Sequence, residues 1–283
     1  MENENGYGSL QESCSNDEKR IYRVNQSILN NMGDTMKIEV RERFLEAWEK
    51  HFPGSELPIA CFYANELNGV AFPDAPKPNS KGFTCIFSQI APVRKGRSRA
   101  FNLDNLGCFG SFLPFGFDTR VTEDVKNYIC NVERVKKSYD HVDSMYEHRP
   151  PKQAPAKYLV FKRWDTLEEQ DDPQVVFFLG NPDVVAGLHG LANFDSMTPY
   201  GVIAPFGTGC DSIVGFPMNE LESEQPKAVL GALDPSARLR FKQHILTFSV
   251  PWPRFLNMLE NMDESFLSTD SWSKVKSRFS RAK

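Results

Sequence analysis

From Tyr158 onward the chain repeats one local pattern, and that repetition constrains the fold more than any other feature. "VVFFLGNPDVVAGL" (175–188) is an apolar run closed by Gly180, then Asn181 as a helix cap, Pro182 in the first helical position and Asp183 in the first turn. "YGVIAPFGTGCDSIVG" (200–215) repeats the theme with a glycine turn. "AVLGALDPSARLRF" (228–241) repeats it with Asp234 and Pro235, and "ILTFSVPWPRFLNMLENM" (245–262) makes a fourth case. Runs of this length, rich in Val, Ile and Phe and bounded by Gly, Pro or Asn, read as strands. Strands that feed capped helices must bury a sheet face and a helix stripe against each other. The expected fold is therefore α/β, with α+β as the alternative: a layered mixed sheet with helices packed on it. No internal repeat is strong enough to define a solenoid.

Upstream the pattern is looser. Residues 1–33 are polar, rich in Asn, Ser, Glu and Gly, and read as a flexible leader with at most a short helix near Ile28. A single large domain is expected over 34–283. It opens with Asp34-Thr35 as a cap, followed by Val40, Phe44, Ala47 and Trp48 at helical spacing. "PIACFY" (58–63) reads as a strand and 71–82, with its three prolines, as a loop. Val121, Val125, Tyr128, Val132 and Val135 predict a helix over 121–138. "EHRPPKQAPAK" (147–157) predicts an extended surface loop. A last helix, 271–281, carries Trp272, Val275 and Phe279 on one side and is expected to dock on the outside.

Composition sets the class of partner. The net charge of −4 gives no field to attract nucleic acid or an anionic membrane. No apolar run approaches the roughly 18–20 residues that span a bilayer, and the N-terminus has neither a basic segment nor an apolar one to act as a secretory signal. The expected partner is a small molecule, and the expected setting the cytoplasm. Cys14, Cys61, Cys85, Cys108, Cys130 and Cys210 form no C-x-x-C pair, so a disulfide scaffold and a zinc ribbon are not expected.

One turn stands apart from the other three. Gly207-Thr208-Gly209-Cys210 replaces an ordinary cap with two glycines and a thiol, and a helix starting near Asp211 would aim its amides at that thiol. A similar arrangement, Cys108-Phe109-Gly110-Ser111, with a thiol next to glycine and a small hydroxyl residue, lies downstream of the basic run Arg94, Lys95, Arg97, Arg99. Guanidinium groups of that run suit a carboxylate or phosphate; a solvated charged face is the alternative reading of the same residues. Cys85, Cys108 and Cys210 together would suit a soft metal or an iron–sulfur cluster, although their spacing neither supports nor forbids it. Of the five histidines only His189, between two glycines in "GLHGL", is a candidate base for a thiol. There is no P-loop, no G-x-S-x-G and no G-x-G-x-x-G.

"RKGRSRAFNLDNLGCFGSFLPFGF", "VVFFLGNPDVVAGL", "GVIAPFGTGC", "AVLGALDPSARLR" and "LTFSVPWPRFLNMLENM" occur in this order, and together they resemble the domain of unknown function 169 family of bacteria and archaea, over about 58–267. The resemblance implies no activity. It places Cys108 and Cys210 inside motif blocks, while Cys14, Cys61 and Cys130 fall outside them and are read as packing. Cys108-Phe109-Gly110 departs from the Cys-Pro-Gly often found there, which leaves the geometry of that turn open. The reading that joins these features is a small anionic or cofactor-like ligand held between the loops of Cys108 and Cys210. Gly107, Gly110, Gly207, Thr208 and Gly209 would cradle it, and Arg94, Arg97 or Arg99 would neutralise its charge. Two alternatives stand beside it: a thiol-dependent enzyme with Cys210 or Cys108 as nucleophile, and a metal or iron–sulfur protein using Cys85, Cys108 and Cys210.

Overall fold

The computed structural model describes residues 35–72 and 85–279. The leader 1–33, the Asp34 cap, Cys14 and most of the 71–82 loop lie outside the described residues. In chain order the regular elements are α1 (Thr35–His51), β1 (Ile59–Ala64), α2 (Ile86–Gln89), β2 (Arg99–Phe101), α3 (Glu123–Asn127), α4 (Tyr139–His148), β3 (Tyr158–Arg163), β4 (Val175–Gly180), α5 (Pro182–Leu191), β5 (Val202–Ile203), α6 (Phe216–Glu220), β6 (Ala228–Gly231), α7 (Pro235–Arg238), β7 (Leu246–Pro251), α8 (Trp252–Asn261) and α9 (Asp270–Lys276).

The strands form one seven-stranded mixed sheet in the order β2-β3-β1-β4-β7-β6-β5. Among the described residues only β5 and β6 pair in parallel; the other neighbours are antiparallel. The expected α/β domain with a mixed sheet is what the chain forms. The expected caps are in place too: the Asn181 side chain accepts from Val184 N at 3.0 Å and Asp234 from Ser236 N at 3.0 Å. Strand direction separates the four similar segments. Gly180 of β4 and Gly231 of β6 lie opposite the start of β7, at Leu246 and Thr247. β4, β5 and β6 therefore deliver their turns to one edge of the sheet, while β7 delivers α8 to the other.

Alternation along the strands gives the sheet two different faces. Val176 and Phe178 of β4 join Phe44, Trp48, Phe255, Leu259 and Trp272 under α1, α5, α8 and α9. That layer is aromatic: Trp48 stacks on Phe52 at 4.4 Å and Phe44 meets Trp164 at 4.7 Å. Burying one such ring is worth about 1.5–3 kcal/mol. Trp272 is buried and its indole donates to His51 O at 3.0 Å, so the last helix docks on the core as expected. Val175 and Phe177 face the other way, towards Cys61, Phe87, Phe161, Cys210 and Val214. Short helices and irregular chain, rather than long helices, cover this second face.

The helix expected over 121–138 does not form as one piece. Thr122 caps α3, a π-turn follows at Tyr128–Val132, and Arg134 at φ 54° reverses the chain. Val132 is 61% exposed and the rest of the stripe is only half-buried, so the segment gains too little burial to reward a longer helix. The helix in this region is α4, which carries Val142 as its one buried residue.

Candidate functional site

The glycine turn after β5 is a helix start built by reciprocal capping. The helical run begins at Gly209. Thr208 Oγ1 accepts from Asp211 N at 3.1 Å, and Asp211 Oδ2 accepts from Thr208 N and from Thr208 Oγ1, both at 2.8 Å. This is a capping box with Asp in place of Glu. A π-turn, Asp211–Gly215, carries the run into α6. The glycines are there for close approach. A Cβ on Gly207 would stand 2.6 Å from the Phe216 ring, and one on Gly209 would stand 2.7 Å from both Ala237 and Phe87.

Opposite this segment lies α4, and between the two is a cleft of about 770 Å³, inside the roughly 300–1,000 Å³ common for small-molecule sites. Its deepest feature is an ion pair. The buried Asp211 accepts from Arg149 Nη1 through Oδ1 at 2.5 Å, and the guanidinium lies 4.2 Å over the Phe216 ring. Arg149 Nε is buried without a partner. Burial, and next the nearby Asp211 charge, push the Tyr146 phenol well up from its ordinary value. Towards the mouth, Lys136 Nζ stands 4.8 Å over the ring of Phe206, which is 48% exposed. Met145, Ile203 and Pro205 complete an apolar wall, and His141 and His148 of α4 line it beside Asp140.

The sequence model of one family, DUF169 (uncharacterised ArCR), matches residues 54–261. The chain belongs to that family. Comparison with curated proteins gives no match, and comparison with solved structures gives none. The match spans both walls of the cleft and Cys85, Cys108 and Cys210, and leaves α1 and α9 outside.

In this DUF169 protein the residues singled out from sequence divide among separate places. Gly207 lines the cleft, whereas Cys210 is buried on the second face of the sheet. Cys85 packs against the same cluster, and neither Cys108 nor Gly107 nor Gly110 lines the cleft. The basic run is elsewhere again. Arg94 grips Glu56 with two bonds of 2.6 Å, Arg99 donates to Ser98 O at 3.1 Å, and Arg97 is exposed. A single hollow shared by the two cysteine loops and the arginines is thus corrected to a cleft that only the Gly207 segment enters. The other wall, α4 and Arg149, was not singled out. Its sequence signal was slight: a polar helix running into Pro150-Pro151. His189 is exposed on α5 and does not line the cleft.

Cys85 and Cys210 nonetheless share the apolar cluster on the second face of the sheet. Burial, as the largest cause, pushes all three thiols up: Cys85 and Cys210 above the ordinary value, Cys108 to about 11. That is opposite to the low-pKa thiolate a nucleophile requires. Among the described residues, no group of three or more His, Cys, Asp or Glu side chains is placed to hold a single metal ion. Cys61 is buried and Cys130 half-buried, as a packing role implies. No helix of the described residues is long and apolar enough to cross a membrane.

Proposed function

We propose that this DUF169 protein binds a small anionic molecule in the cleft between α4 and the 203–220 segment. The observation that carries the reading is a mismatch of donors over acceptors at the cleft. Arg149 Nε is buried and unpartnered, and Lys136 pairs with a ring rather than a carboxylate among the described residues. The nearby acids are already engaged or lie at the rim: Asp211 takes Arg149 and Thr208, Glu220 accepts Lys227 N at 3.0 Å, and Asp140 is exposed. An anion would complete those donors in a partly water-excluded place, where a charge-assisted bond is strongest. The ligand body would lie on Phe206, Ile203 and Met145. Arg149, held by Asp211 and Phe216, is a pre-set group rather than a floppy one, which lowers the ordering cost of binding.

The test is a titration of isotope-labelled protein with benzoate, citrate and inorganic phosphate, followed by amide chemical shifts. The expected result is a saturable change confined to residues 136–149 and 203–220, weakened at least tenfold by Lys136→Ala. Changes centred on Arg94–Arg99 instead, or none in the cleft with any probe, would overturn the reading. The thiol-nucleophile alternative gains nothing from this environment, because burial keeps each candidate sulfur protonated near neutral pH.

A further inference from the structure

A glycine turn that opens a helix commonly receives phosphate on its free backbone amides. In the turn beside the cleft those amides are already taken. Thr208 N donates to Asp211 Oδ2 at 2.8 Å, Gly209 N to Asp234 Oδ2 at 3.2 Å, and Asp211 N to Thr208 Oγ1 at 3.1 Å. Two of the protein's own carboxylates thus accept the bonds that phosphate oxygens would need. The glycines leave no cradle either. The space beside Gly207 is filled by the Phe216 ring, and that beside Gly209 by Ala237 and Phe87.

The side-chain charges point the same way. Lys136 and Arg149 line the cleft together with three acids, Asp140, Asp211 and Glu220. Arg149 is matched by Asp211, whereas Lys136 meets a ring and no carboxylate among the described residues. One cation is left for one anionic group. Each further negative charge on a ligand would enter among acids with no cation to offset it, and like charges brought together are costly.

The space far exceeds what one carboxylate fills. The cleft holds about 770 Å³, and Met145, Ile203, Pro205 and the Phe206 ring form its apolar wall. Phe206 is 48% exposed, with Lys136 Nζ 4.8 Å over its centroid. An apolar body laid along this wall would remove the ring and its own surface from water, with its carboxylate at Lys136.

We propose, resting on the anion-binding reading of the cleft, that its ligand is a monocarboxylate with an alkyl or aryl body, and not a phosphate ester or a polycarboxylate. Lys136 meets the carboxylate. Phe206, Ile203 and Met145 hold the body.

The test titrates the full chain with butanoate, hexanoate, octanoate and phenylpropionate, each below its micelle concentration, and with octanamide, citrate and adenosine monophosphate, again reading amide shifts over 136–149 and 203–220. Octanoate or phenylpropionate is expected to bind tightest, with the alkyl series gaining up to about fourfold per methylene buried. Octanamide, citrate and adenosine monophosphate should be clearly weaker. Lys136→Met, which keeps an apolar stem over Phe206 and removes the charge, should weaken octanoate about tenfold and leave octanamide unchanged. Citrate or adenosine monophosphate binding in the cleft as tightly as octanoate, or butanoate matching both longer-bodied acids, would overturn the monocarboxylate and leave the anion site standing. Octanamide as tight as octanoate, or no shift in the cleft with any probe, would overturn both readings.

Discussion

Cys210 and Asp211 are consecutive residues that serve opposite sides of one helical turn. The Asp211 carboxylate meets Arg149 in the cleft, while the Cys210 side chain lies buried in the cluster with Ile86, Phe87 and Val214. The Thr208–Asp211 box fixes the rotation of that turn, so it decides at once what the cleft and the buried second face of the sheet receive.

The Asp211 carboxylate should therefore be costly to lose. Asp211→Asn leaves the Arg149 guanidinium without its counter-charge; because Arg149 is only partly buried, the expected loss is about 2 kcal/mol, below the figure for a fully buried pair. Thr208→Ala removes the cap at a cost of about 1 kcal/mol. The two changes share hydrogen bonds, so urea unfolding of the double variant should show less than the sum of the singles.

A second buried charge lies on β3. Lys162 is 2% exposed, and its Nζ donates to Asp171 Oδ2 at 2.9 Å and Glu168 Oε2 at 2.7 Å. Asp171→Ala strands the ammonium and also frees Glu168 N, which donates to Asp171 at 2.7 Å. A loss of about 3–5 kcal/mol is expected. Lys162→Met, which removes the buried ammonium itself, should cost clearly less in the same denaturant titration.

Acid should loosen the junction of α1 with the turn after α8. His51 Nε2 and Lys50 Nζ both donate to Asp263 Oδ1, at 2.7 and 2.8 Å, and these partners, His51 first, hold the Asp263 carboxyl below its ordinary 3.8. A carboxyl with a lowered folded pKa contributes stability that is present above the unfolded value and is lost as pH falls through the folded one. Melting curves of the parent and Asp263→Asn should converge as pH drops below 3.8 and separate above it. A constant gap across that window would contradict the assignment.

Alkylation should follow burial in metal-free, reduced protein. Burial is the largest cause lifting Cys108 to about 11, so its reaction with iodoacetamide should be slow near neutral pH and climb steadily towards that value. Cys61 and Cys210, both buried, should react only when the chain is unfolded. Peptide mapping after timed quenching reads each position separately, and rapid labelling of Cys210 in the folded chain would show that its turn opens.

Much of this architecture is local and so was legible. The caps at Asn181 and Asp234 and the apolar runs of β4 and β7 depend on neighbours a few residues away. The helix expected over 121–138 failed for the complementary reason: an apolar stripe is a request for a partner surface, and this one is left half-buried or exposed. Arg149 was passed over because its significance lies in Asp211, 62 residues on, and in the Phe216 ring. Nothing in the residues around Arg149 encodes that meeting.

What the amino-acid order determined by itself was the strands β1, β4, β5, β6 and β7, though not β2 or β3, together with the glycine turn after β5 and the grouping of the chain with DUF169. Only the tertiary structure decided that the strands run mostly antiparallel, that the basic run turns to Glu56, and that the cleft and the Cys210 side chain lie on opposite sides of the 207–211 turn. The physical reason is range. Caps and alternation arise from interactions within one turn or one pleat, whereas strand direction and ion pairs arise when distant segments compete for the same buried surface.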